Sequence, residues 1–153
     1  MLQEASALVG RWDGTGEVFP NPWGPAGTTR GHWDFRFDGA GRHLVHDYAE
    51  QRSDGSRFDG HGVFARDPMV GDILWFWFDS YGFPPLQPAR GNWQDSRLEL
   101  EKQTPRGIGR THFALEGTQL AVEIWSRPRE ETDFILISRG LFSRGWPAEK
   151  RQG

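Results

Sequence analysis

Apolar and polar residues alternate along most of the chain, a pattern typical of β-strands with one buried face. In one such run the aromatic residues Trp33, Phe35 and Phe37 face one way, and the polar residues between them face the other. Similar runs span residues 8–18, 43–52, 57–66, 73–79, 90–94, 97–103, 107–115, 119–127 and 132–142. Turn-forming pairs, such as Asp38-Gly39, separate the runs. The pattern therefore predicts about ten strands that follow one another along the chain.

Consecutive antiparallel strands leave two unpaired edges unless the sheet closes on itself. We therefore predict an all-β fold, a single antiparallel up-and-down β-barrel of about ten strands, which is too wide for side chains to fill and so contains an internal cavity. A two-sheet sandwich is the alternative, and the short connections favour the barrel. The domain is expected to span residues 1–153, with a core at about 8–142 and a polar tail from Trp146 onward. A short helix is predicted at Gln3–Val9, and the proline-rich segment 19–29 is a loop long enough to cover an opening.

The composition and charge exclude several classes of function. The chain has 153 residues, which suits one domain, and it has no cysteine, so disulfides, thiolate metal sites and a cysteine nucleophile are excluded. There are 18 Lys and Arg residues against 21 Asp and Glu, so the basic surplus of nucleic-acid-binding proteins is missing. The N-terminus lacks the pattern of a signal peptide, and the longest apolar stretch, Ile73–Phe78, is too short to span a bilayer. We therefore expect a cytoplasmic protein without nucleic-acid or membrane partners.

Aromatic walls that carry a few polar groups are typical of small-molecule pockets. The leading expectation is therefore that the barrel binds a small apolar or aromatic ligand. The candidate ligand-binding residues are Trp33, His46, Tyr48, His61, Trp77, Tyr81, Trp93, Arg110 and His112. The aromatic rings would supply contact area, His46 and Tyr48 would orient the ligand, and Arg110 would pair with a carboxylate or phosphate. If His46 faces inward, burial should lower its pKa.

Three alternatives remain open at this point. The first is an enzyme that acts on such a ligand, with His46 as acid and base and Tyr48 as oxyanion donor, since the two residues share one face of a strand. The second is haem binding through His112 or His46. The third is an interaction module, or a homodimer interface, formed by the aromatic segment 73–83. No spacing of metal ligands such as H-E-x-x-H occurs, so no metal site is predicted.

The segment LVGRWDGTGEVFP resembles the first strand of the calycin superfamily, which carries a G-x-W motif, here Gly10-Arg11-Trp12. This resemblance implies that an arginine of the last strands packs across the tryptophan and closes one end of the barrel. Arg139 and Arg144 are the candidates for that arginine. An arginine stacked on a tryptophan gains a cation–π contact, so the arrangement is also physically reasonable.

The longer string G-x-W-x-G-x-G, followed by Phe19-Pro20, also resembles the opening of the nitrobindins, haem-binding barrels with a proximal histidine on a late strand. The corresponding segment here, DFILISRGLF, contains no histidine, which argues against haem held in that manner, and no cofactor is predicted. Other segments, among them RFDGHGVF and WFWFDSYGFPP, resemble a bacterial family of unknown function grouped with the nitrobindin and fatty-acid-binding-protein-like, lipocalin-like barrels. That resemblance covers residues 8–142 and implies the fold, but it carries over no activity.

Overall fold

Ten antiparallel strands close into a barrel in the computed structural model, which describes residues 2–145. The strands are β1 (Gly10–Val18), β2 (Gly27–Phe37), β3 (Leu44–Arg52), β4 (Arg57–Arg66), β5 (Ile73–Asp79), β6 (Ala89–Gln94), β7 (Arg97–Thr104), β8 (Gly107–Glu116), β9 (Gln119–Pro128) and β10 (Ile135–Arg144). Each strand pairs with its neighbours in sequence, and β1 closes the barrel by pairing with β10. The up-and-down barrel predicted from the alternation is thus confirmed. The predicted tail from Trp146 lies outside the described residues.

A short 3-10 helix, Glu4–Leu8, precedes the barrel where the sequence predicts a helix at Gln3–Val9. The predicted loop 19–29 is shorter in the structure, because β2 already begins at Gly27. Among residues 2–145, no helix has the length and apolar character needed to cross a membrane.

The helix closes the end of the barrel at which β1 begins. Its residue Leu8 is fully buried, and the carbonyl oxygen of Leu8 accepts a hydrogen bond of 2.8 Å from Nε1 of Trp12. The guanidinium carbon of Arg144 lies 4.0 Å from the centre of the Trp12 ring, and Nη2 donates to the carbonyl oxygen of Ala7 over 2.7 Å. Arg144 therefore provides the cation–π contact that the resemblance implies. Arg139 instead forms an ion pair with Glu123 on the outer face, since it has the opposite strand parity.

Aromatic side chains fill the middle of the barrel. Trp33 on β2 stands opposite Trp12 on one side and Tyr48 on the other. The ring of Phe113 makes edge-on contacts with Trp33 at 5.4 Å and with Trp75 at 5.5 Å. This aromatic layer separates the closed end from the opposite half of the interior, and it leaves no room for the predicted internal cavity in the middle of the barrel.

The opposite half of the interior is open to solvent. Leu120, Val122 and Ile124 alternate along β9 on the inward face, but their exposure rises from 0% to 6% to 42% along the strand. A Cβ atom on Gly109, which shares the inward face of β8 with Phe113, would meet no atom within 4 Å. We call this half of the interior the open lumen. It is also less tightly bounded at one side, because β5 and β6 pair only over Ile73–Trp75.

Candidate functional site

A polar network lies at the open lumen, formed by every second residue of β3. Tyr48, Glu50 and Arg52 share the inward face, because successive residues of a strand point to opposite sides. The Tyr48 hydroxyl donates to Oε1 of Glu50 over 2.6 Å, and Nε of Arg52 donates to Oε2 of the same carboxylate over 2.7 Å. Both oxygens of Glu50 are therefore engaged, and its negative charge is balanced by Arg52.

A second carboxylate, Asp79 at the end of β5, is held in the same way. Its Oδ2 accepts a hydrogen bond of 2.9 Å from Nε1 of Trp77, and its Oδ1 accepts one of 2.9 Å from the backbone N–H of Tyr81. The centre of the Phe58 ring lies 5.2 Å from that of Tyr81 and 5.1 Å from the guanidinium carbon of Arg52. The two carboxylates thus fix the aromatic residues around the rim.

The protonation states of this network follow from burial and charge. Burial raises the pKa of Tyr48 well above its usual range, and the neighbouring Glu50 carboxylate raises it further, so the hydroxyl keeps its proton. Burial is the largest single influence on Arg52 and disfavours its charged form, but the hydrogen bonds and charges of Glu50 and Tyr81 together outweigh it and raise the pKa of the guanidinium. Tyr48 is consequently a fixed donor to Glu50, which leaves it no proton to offer the oxyanion of a substrate in this conformation.

Below the network, the floor of the open lumen is aromatic. Trp33 is 4% exposed, and its ring centre lies 4.4 Å from that of Tyr48 and 5.7 Å from that of Trp77. The indole Nε1 of Trp33 is buried without a hydrogen-bond partner within the described residues. An unpaired buried donor carries a free-energy cost, so this group favours a bound acceptor or a water molecule.

His46 faces inward as predicted, but it belongs to the packed interior. Its Nε2 accepts a hydrogen bond of 2.9 Å from Nε1 of Trp75, and its Nδ1 donates to the carbonyl oxygen of Leu44 over 3.3 Å. Complete burial lowers the pKa of the imidazole to about 3. A histidine whose two ring nitrogens are both engaged, and which stays neutral, is not positioned to act as a general base. His46 is therefore part of the internal packing, and Tyr48 is part of the polar network with Glu50 and Arg52.

Three of the nine candidate residues lie on the outer face of the barrel, contrary to the expectation that one cavity gathers them all. His61 is hydrogen-bonded to Oδ1 of Asp47 over 2.6 Å. Arg110 pairs with Glu99 at 3.3 Å. His112 also points outward, although it is only 7% exposed. Its low exposure arises because outer-face neighbours cover it: Glu99 lies 3.6 Å away, and Arg97 donates a hydrogen bond to its ring.

These three residues lie on the outer face because successive residues of a strand face opposite sides. Gly60 and Gly62 of β4 occupy inward-facing positions, so the His61 side chain between them points outward. Phe113 is fully buried in the interior, so its neighbour His112 and the next residue of that face, Arg110, point outward.

The remaining candidates divide between the two ends of the barrel. Trp33, Tyr48 and Trp77 border the open lumen, and Tyr81 stands at its rim with 61% of its surface exposed. Trp93 lies opposite the buried Leu98 near the closed end.

Comparisons with known proteins identify the fold. Rv2717c from M. tuberculosis matches with a TM-score of 0.69 and 13% sequence identity, over 95% of this chain and 99% of the other. The S-type phycobiliprotein lyase CPES from Guillardia theta matches with a TM-score of 0.70 and 8% identity, over 95% and 92%. EF1p2_mFAP2b bound to DFHBI matches with a TM-score of 0.50 and 14% identity, over 93% and 97%. These proteins share with this chain the fold of a closed antiparallel barrel. No protein-family model matches the sequence, and no curated protein does either.

Among residues 2–145, no histidine that faces the interior is free to bind haem. Strand β10 contains no histidine, and His112 on β8 points away from the interior. His46 is the inward histidine among residues 2–145, and both of its ring nitrogens are already bonded within the protein. In the same residues, no group of three or more His, Asp and Glu side chains is arranged to hold a metal ion.

Residues that were not predicted from the sequence complete the open lumen. Glu50, Arg52 and Asp79 form its polar groups, and Ile124 and Gly109 mark its unfilled wall. The period of two along β3 offered a signal for Glu50 and Arg52, since both share the face of Tyr48. No local signal marks Ile124, because its exposure depends on which side chains occupy the strands across the barrel.

Proposed function

We propose that this calycin-like barrel binds a small apolar or aromatic ligand in its open lumen. The observation that carries the proposal is the 42% exposure of Ile124, which shares an inward face with the buried Leu120 and Val122. An exposed apolar wall inside a barrel gains free energy when a ligand removes it from water. The unfilled space beside Gly109 supports the same conclusion.

The chemistry of the walls suggests what such a ligand carries. The rings of Trp33 and Trp77 offer a flat apolar floor, and offset or edge-on aromatic contacts favour an aromatic body. Lys102 shares the inward face of β7, is half-buried and has no ion pair within the described residues. The carboxylates of Glu50 and Asp79 are already occupied by internal donors. Lys102 and the Nε1 group of Trp33 are therefore donors without a partner among residues 2–145, and they suit a ligand that carries a hydrogen-bond acceptor or a negative charge.

Two of the structural neighbours are consistent with this proposal. One is a phycobiliprotein lyase, and the other was solved with the small molecule DFHBI bound. A barrel of this fold therefore binds a small molecule in at least one other chain.

The test uses 1-anilinonaphthalene-8-sulfonate, an aromatic anion whose fluorescence rises when it leaves water. Gly109→Leu should weaken its binding by at least about tenfold, because the new side chain fills the open lumen. The matched control is Gly39→Leu, which adds the same side chain to an exposed turn where a Cβ also meets no atom within 4 Å. Equal affinity in the wild type and the Gly109→Leu variant would place the bound dye elsewhere and contradict the proposal.

A second candidate function is association of two copies through the aromatic segment 73–83. Phe78, Tyr81 and Phe83 follow one another within six residues and expose 49%, 61% and 63% of their surfaces, and exposed apolar surface of this kind marks many interaction sites. Light scattering measures this directly. A dimer in the wild type that becomes a monomer in Phe78→Ser would support association through this segment, and a monomeric wild type would refute it.

A further inference from the structure

A groove of about 560 Å³ crosses the outer surface of β1 to β4, on the far side of the barrel wall from the open lumen. It differs from the site proposed above, because its side chains, apart from that of Glu50, stand at positions of the opposite strand parity. Polar residues dominate its lining, around the small residue Ala49. The side chains that reach into this outer groove from neighbouring strands are Arg11, Thr15, Arg30, His32, Gln51 and Arg57.

The outer groove is positively charged although the whole chain has a net charge of −3. Three arginines line it, against the one outward-facing carboxylate of Asp13, whereas the side chain of Glu50 has the inward parity of β3. The Glu50 carboxylate is bonded to Tyr48 and Arg52, so it does not neutralise the groove.

The three arginines are available to a ligand to different degrees. Arg30 is exposed and makes no hydrogen bond or ion pair with any side chain of residues 2–145. Arg11 pairs with Asp13 at 3.1 Å, and Arg57 pairs with Asp59 at 3.1 Å. Both pairs are well exposed to water, and such surface pairs contribute little stability. A ligand that offers better acceptors can therefore recruit these two guanidinium groups without disturbing the fold.

We propose that the outer groove binds a small molecule that carries one or more phosphate groups. Arginine presents a planar set of donors that matches two phosphate oxygens at once, and three arginines from three strands can contact different oxygens of a tetrahedral group. The Thr15 hydroxyl and the Gln51 amide add neutral donors along the same walls. The volume lies within the range of small-molecule sites.

Calorimetric titration of the full chain with inorganic pyrophosphate tests the proposal. We expect saturable binding with a Kd below about 1 mM at low ionic strength, and Arg30→Gln should weaken it by about tenfold, since a charge-assisted hydrogen bond is lost. The fold should be unchanged, because the Arg30 side chain has no bonding partner to lose. Binding of 1-anilinonaphthalene-8-sulfonate should also be unchanged in this variant, which separates the outer groove from the open lumen.

The matched control is Arg42→Gln, which removes the same charge from an exposed turn outside the groove. This control should bind pyrophosphate within about twofold of the wild type. An equal loss in Arg30→Gln and Arg42→Gln would indicate attraction by overall charge and would overturn the proposal. Absence of saturable binding would overturn it as well. Citrate bound as tightly as pyrophosphate would refute the assignment to phosphate.

Discussion

Lowering the pH from about 7.5 to about 5 should destabilise the folded barrel by about 2 kcal/mol through His46 alone. The imidazole is completely buried, and its two nitrogens are bonded to Trp75 and to the Leu44 carbonyl. A proton added to Nε2 would break the hydrogen bond from Trp75 and would place a charge in an apolar interior. The folded protein therefore resists protonation at this position.

The magnitude follows from the two pKa values of His46. In the unfolded chain the pKa is 6.5, and in the folded barrel it is about 3. Between these values the unfolded chain binds about one more proton, so stability is fully present above pH 6.5 and falls by about 1.4 kcal/mol for each unit of pH below it. At about pH 5 the loss covers roughly 1.5 units, which gives about 2 kcal/mol, and it continues down to the folded pKa.

The assay is urea unfolding of the wild type and of His46→Gln at both pH values, followed by tryptophan fluorescence. His46→Gln should lose about 2 kcal/mol less than the wild type between the two pH values, whatever its stability at neutral pH. Leu120→Ala is the control, because it removes buried volume without removing a titrating group, and it should keep the wild-type difference. The same pH difference in the wild type and in His46→Gln would refute the assignment of this titration to His46.

Three other predictions concern Trp12 at the closed end of the barrel, Gly60 on the inward face of β4, and haem binding. Trp12→Ala should lower the free energy of unfolding by about 3–5 kcal/mol, because it removes a buried indole on which Arg144 stacks. A loss below about 1 kcal/mol in a denaturant titration would contradict the role of Trp12 in closing the end of the barrel. Gly60→Ala should cost about 1–3 kcal/mol, since the new Cβ overlaps the ring of Trp77, whereas Gly39→Ala in an open turn should stay within about 0.5 kcal/mol of the wild type in the same titration. Haem added to the protein should give no sharp Soret band in the absorption spectrum, and a stoichiometric band would show that an axial ligand is free after all.

The strands and their closure could be predicted from the sequence because alternation is a local property. The predicted runs agree with the ten observed strands to within a few residues at each end. The burial of Trp12 beneath an arginine could also be predicted, but which arginine packs on it could not. That choice depends on the pairing of β1 with β10, which sets Trp12 opposite Arg144 and gives Arg144 the inward parity of Phe142.

The faces of the strands were harder to assign. On β8, one face carries Ile108 and His112 and the other carries Thr111 and Phe113, so each face mixes apolar and polar residues. Only the pairing of Phe113 with the buried Leu98 decides which face is inward. His112 is buried on the outer face because long side chains of adjacent strands cover it. The alternation of residues along β8 alone does not predict this burial.

The open lumen exists because the side chains on facing strands do not fill that half of the barrel, and the sequence of one strand does not predict this. Gly109 leaves space only because the residues across the barrel do not fill it. The polar network of Tyr48, Glu50 and Arg52 follows a simple period of two, but its role required the inward face of β3 to be known.

The most direct measurement of ligand binding in the open lumen is a titration followed at the isoleucine methyl groups by NMR. Ile124 lines the open lumen, Ile73 is buried at the closed end, and Ile108 has the outer-face parity of β8. On addition of 1-anilinonaphthalene-8-sulfonate, we expect the Ile124 methyl resonances to shift in a saturable way, while those of Ile73 and Ile108 stay nearly unchanged. Shifts at Ile108 without a shift at Ile124 would place the dye outside the barrel and would contradict the proposed function.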